Sequence, residues 1–75
     1  MSAIKDRIVD AHEHAAARGY RAILTAHRDG IDVEVWDGML RNTHHVAWVD
    51  IEMAVVNPLP AAIDKCIEDV TMRRE

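Results

Sequence analysis

Ile4, Ile8, Ala11 and Ala15 recur at three- and four-residue intervals, with Asp6, Asp10, Glu13 and Ala17 on the opposite side. That is the stripe of a helix with one face in a core. Ser2 stands where a side chain can accept a backbone N–H that the first turn leaves unpaired. Arg18 suits the negative end of the helix, and Gly19 is placed to close it in a left-handed conformation. The spacing predicts a helix over 3–18.

From 20 the period changes to two. Tyr20, Ala22, Leu24 and Ala26 alternate with Arg21, Ile23, Thr25 and His27; Ile31, Val33 and Val35 alternate with Asp32, Glu34 and Trp36. Asp29-Gly30 between them is a hairpin signal. A two-residue turn there pairs Arg28 with Ile31, Ala26 with Val33 and Leu24 with Val35, which puts both apolar sets on one face. A three-residue turn would oppose them, so the apolar pattern selects the shorter turn. The stretch 37–43 has turn residues at both ends and no sustained period, and reads as a loop. Alternation returns over 44–53, with His45, Ala47, Val49, Ile51 and Met53 assigned to the core side and His44, Val46, Trp48, Asp50 and Glu52 to the other.

Asn57 is a good N-cap, Pro58 is preset for the first helical position, and Pro60 still lies in the first turn. Leu59, Ile63, Cys66, Ile67 and Val70 form the buried stripe of this last helix, and Arg73 and Arg74 sit at its negative end. The expected fold is α+β, α-β-β-β-α, with a three-stranded antiparallel meander and both helices packed on one sheet face. This order resembles that of the double-stranded-RNA-binding domain, in topology only. That family grips phosphate with lysines at the start of its last helix. Here the segment reads Asn57-Pro58-Leu59-Pro60-Ala61-Ala62, and the one lysine of the helix is Lys65. RNA binding is therefore not carried over with the topology.

At 75 residues there is room for one core, so 1–75 is expected to be a single domain. A domain this short buries only about 60% of the surface its unfolded chain exposes. Cys66 is the lone cysteine, which fits a reducing compartment and rules out an internal disulfide. No apolar run approaches a membrane span, and the charged start Lys5-Asp6 carries no secretory h-region; a cytoplasmic location is expected. The net charge of −4 argues against direct nucleic-acid binding and favours a basic partner.

Candidate chemistry is thin. His12 and His14 are two apart on a helix, roughly 200° around its axis, and cannot grip one ion. His12 is expected near the apolar stripe and His14 on the solvent side. His44 and His45 are strand neighbours and point to opposite faces. A composite of His27, His44 and Asp32 is the weak remaining metal candidate, and no metal or other cofactor is expected. Cys66 lies on the buried stripe and reads as a small core residue. Gly19, Gly30 and Gly38 are too far apart for a phosphate loop. No catalytic residue is assigned, and the chain is expected to be non-enzymatic.

The tryptophans are the anomaly. In the alternation above, Trp36 and Trp48 fall on the sheet face away from the helices, with Ile23 and Val46, rimmed by Asp32, Glu34, Asp50 and Glu52. Apolar clusters exposed to water and rimmed by charge mark interaction sites, and tryptophan is enriched at binding hot spots. The sequence thus predicts a protein-binding module whose acidic, tryptophan-bearing face docks on a basic partner surface. Small phage-encoded inhibitors such as anti-CRISPR proteins are a class compatible with this size and charge. A homodimer through the same face is the alternative, a small metal-dependent or hydrolytic enzyme built from scattered His and Asp ranks third, and a loop folded so that Met39 and Leu40 cover the rings is the structural alternative.

Overall fold

The elements run α1 (Ala3–Ala17), β1 (Arg21–Ala26), β2 (Gly30–Asp37), β3 (Leu40–Ala47), α2 (Trp48–Met53) and α3 (Pro58–Arg74) in a computed structural model that describes residues 3–74. The predicted α-β-β-β-α order is present, with one short helix added before the last. The Ser2 cap and the Arg74 side chain lie outside what is described.

α1 forms where its stripe placed it. Ala11 and Ala15 are buried, Ile4 and Ile8 pack against the core from its edge, and Asp6, Asp10 and Glu13 face water. Gly19 ends it at φ +82°, with the Gly19 and Tyr20 N–H groups donating back to the Ala16 and Ala15 carbonyls at 3.0 Å each. The two histidines exchange their expected places. His12 is exposed, while His14 turns to α3 and meets Asp64 at 2.7 Å, joined there by Arg18 at 2.7 Å.

The sheet is antiparallel in the order β1-β2-β3. Ala26 pairs with Ile31, Leu24 with Val33 and Ala22 with Val35, so the register is displaced by two residues from the predicted one. A shift of two keeps the faces in phase, which is why the apolar assignment of β1 and β2 survives it. The turn is centred on Arg28-Asp29, closed by His27 N–H to Gly30 O at 2.7 Å. Gly30 does a different job from turning the chain: it lies opposite Ala47, where a Cβ would land on the Val46 carbonyl oxygen.

The expected 37–43 loop is instead a tight hairpin. Asp37 pairs with Leu40, and Gly38 at φ +63° carries the turn with Met39. β3 therefore starts early and runs in the opposite phase to the predicted one. Asn42, His44 and Val46 pair with Val35, Val33 and Ile31 on the helix side, and Val46 is buried in the core. Two of those three are polar, so no apolar alternation announced them; Asn42 is accommodated by donating to Asp69 of α3 at 3.1 Å. The strand ends at Ala47, and Trp48 begins α2.

α3 closes the core with Leu59, Ala62, Ile63, Cys66, Ile67 and Val70, all buried. Asn57 caps it as expected, its Oδ1 accepting the Leu59 N–H at 3.1 Å. α1 and α3 pack on each other and on the same sheet face, and on the other face Arg21, Ile23, Thr25, Arg41, Thr43 and His45 are exposed. Met39 sits at the hairpin tip, 95% exposed, and does not fold over them.

Candidate functional site

A helix of six residues has no stability of its own, so α2 exists because its surroundings hold it. The Trp48 N–H donates to Asp29 O at 3.3 Å and its indole Nε1 to His27 O at 2.8 Å, which ties the start of α2 to the β1–β2 turn. Ile51 is fully buried. At the other end, Arg7 of α1 donates to Ile51 O at 2.6 Å and to Ala54 O at 2.8 Å, a cation on the carbonyls that the helix leaves unpaired. Asn57 in turn donates from Nδ2 to Arg7 O at 2.9 Å. Four hydrogen bonds to two parts of the chain, the β1–β2 turn and α1, thus fix a short segment.

What this fixed segment presents to water is apolar. Val49 is 61% exposed, Met53 77%, Val55 97% and Val56 78%. Val49 and Met53 are four apart on α2, on one face, and Val55 and Val56 follow in the link to α3. At about 100° per residue, Ile51 points opposite the midpoint of Val49 and Met53. Glu52 then falls about 60° to one side of this pair and Asp50 about 60° to the other. Both carboxylates are exposed. The outward face of α2 is an apolar ridge with an acid on each flank.

The eight residues expected on one acidic sheet face are divided by the structure. Ile23, Asp32, Glu34 and Trp36 do share the outer face of the sheet. Val46 does not; it is in the core at 7% exposure, because β3 runs in the other phase. Trp48, Asp50 and Glu52 belong to α2, and Trp48 packs partly against the core.

Nor is the outer sheet face acidic. Asp32 is held between His45 Nδ1 and His27 Nε2, each at 2.7 Å, and these hydrogen bonds, that from His45 foremost, bring its carboxyl below the ordinary range. Glu34 accepts the Trp36 indole N–H at 2.6 Å and pairs with Arg41 at 3.5 Å, while the Arg41 guanidinium lies 5.7 Å from the centre of the Trp36 ring. With Arg21 also on this face, two arginines offset the two carboxylates. Trp36 is half-buried among these neighbours, and beside it Arg21, Ile23 and Gly38 line a shallow hollow of about 450 Å³.

The weak histidine composite also changes membership: His45, not His44, joins His27 and Asp32, since His44 faces the helices. Among the described residues no group of three or more His, Cys, Asp or Glu is placed to hold a metal ion. Burial, with the Asp69 charge adding to it, pushes the Cys66 thiol up to about 11, and its Sγ lies 3.7 Å from Val33 O in the core. A thiol in that state is a poor nucleophile at neutral pH.

Val49, Met53, Val55 and Val56 escaped the sequence reading as a surface. A signal existed. Val49 and Met53 fit a helical period as well as an alternating one, and no lysine or arginine occurs between Arg41 and Lys65. No helix among the described residues is long and apolar enough to cross a membrane. Comparison of the chain with protein-family models, curated proteins and solved structures finds no match.

Proposed function

We propose that this protein is a non-enzymatic protein-binding module that docks through Val49, Met53, Val55 and Val56, with the flanking Asp50 and Glu52 meeting a basic partner surface. One observation carries the reading: four large apolar side chains within eight consecutive residues stand in water on backbone that Arg7, Asn57 and Trp48 hold in place. Leaving apolar area in water forgoes about 25 cal/mol per Å², and a partner recovers it on contact. Because the segment is already fixed, little ordering entropy opposes that contact. The partner is taken as a different protein, since a symmetric pairing through this surface sets Asp50 and Glu52 against their own copies.

A photo-crosslinking residue at position 55, expressed in cells of the natural source, tests this against the same residue at position 43 on the outer sheet face. A discrete adduct with another protein is expected from 55 and none from 43. No adduct at 55 would overturn the reading, and an adduct with a second copy of the chain would replace it with self-association.

A further inference from the structure

The arrangement of charge around the α2 ridge specifies more than apolar contact. Val49 and Met53 form an i, i+4 ridge, the element that packs into the groove between side chains of another helix. Carboxylates border it on both sides rather than one, and among the described residues neither Asp50 nor Glu52 is held in a salt bridge, although Lys65 lines a hollow beside Asp50. We infer that the occupant of this surface is a basic amphipathic helix, with an apolar stripe that takes the Val49–Met53 ridge and cations on both of its borders. This rests on the binding-module reading above. An anionic lipid surface is disfavoured by Asp50 and Glu52, and so is a second copy of the chain. An extended strand would engage a sheet edge, whereas this ridge lies on a helix. A stripe with cations on one border only would leave either Asp50 or Glu52 against apolar surface, desolvated and unpaired, which is costly.

Two dye-labelled synthetic helices test the inference, one of leucine and lysine and one of leucine and glutamate in the same amphipathic pattern, titrated against the intact chain by fluorescence anisotropy. The leucine–lysine helix is expected to bind and to weaken steeply with salt, and the leucine–glutamate helix is expected not to bind. The double reversal Asp50→Lys with Glu52→Lys should exchange the two preferences, and by at least about tenfold for the leucine–lysine helix, since charges bordering an interface set partner choice. Val49→Ser with Met53→Ser should abolish binding of either peptide, with melts showing that both double variants remain folded. Equal binding of both peptides would overturn the basic-helix inference and leave the binding module standing. Binding of neither, with the position 55 adduct retained, would do the same. Binding of neither together with loss of that adduct would remove both.

Discussion

Cys66 and Gly30 show how differently two residues can be read before and after folding. Cys66 was legible, because its place on a helical stripe with Leu59, Ile63 and Val70 leaves it no route to solvent. With its thiol pushed up to about 11, it should resist alkylation at pH 8 in the folded protein and react promptly once denatured, as a thiol titration in and out of urea would show. Gly30 was read as a turn glycine, the right residue for the wrong reason; its demand comes from β3, which is distant in sequence. A methyl there meets the Val46 carbonyl, and the backbone sits at φ +159°, so Gly30→Ala should destabilise by more than about 1 kcal/mol in urea melts. The carboxylates of Asp32 and Asp64 carry a third test. Hydrogen bonds from His45 and from His14, respectively, are the chief cause that lowers them in the fold. A lowered carboxyl stabilises fully above its unfolded value, near 3.9, and that contribution disappears as pH falls through the lower folded value. The Asp32→Asn, Asp64→Asn double variant should therefore show a shallower fall in urea midpoint between about pH 5 and pH 2 than the native chain. The difference will be small, because both groups are well exposed to water.

Among the elements, α1 and α3 were the most legible and β3 and α2 the least. The two long helices carry long stripes and end signals, Gly19 for one and Asn57-Pro58 for the other, so local and tertiary preferences agree. In β3 the inward residues Asn42 and His44 are polar, and the hairpin that would have set its phase, Gly38-Met39, lay inside what looked like a loop. α2 illustrates the ambiguity of short apolar runs. Val49, Ile51 and Met53 alternate as a strand would, yet only Ile51 is buried, and the helix that results is chosen by contacts far away in sequence. Arg7 is the chief of these. Arg7→Met keeps the aliphatic stem but gives up both bonds to the α2 carbonyls, and charge-assisted bonds of this kind contribute about 1.5–3 kcal/mol each at most. Hydrogen exchange should then rise across residues 48–56 while the Leu59–Val70 amides stay protected. Uniform loss of protection throughout the chain would mean that α2 is integral to the whole fold rather than a clipped-on segment.

For the molecule as a whole, the layered arrangement followed from pattern, whereas the identity of the leftover surface did not, because that depends on register and phase at every strand. Reversing the phase of β3 moved Val46 into the core, and ending the strand at Ala47 carried Trp48 into α2. The net charge of −4 likewise said nothing about where charge gathers: on the outer sheet face arginines and carboxylates offset one another, while α2 carries acids alone. The division between core and docking surface is sharpest within α2 itself, where Ile51 and Met53 stand two residues apart at 0% and 77% exposure. Ile51→Ala, like Ile63→Ala in α3, should cost about 2–5 kcal/mol as a core truncation. Met53→Ser and Val56→Ser should stay within about 0.5 kcal/mol of the native chain, since each removes apolar surface that already faces water. In a domain of this size each 1 kcal/mol moves the Tm by about 4–8 °C, so melts resolve the two groups easily. Should Met53→Ser melt as low as Ile51→Ala, Met53 is packed in solution, and the Val49–Met53 ridge on which docking depends is lost.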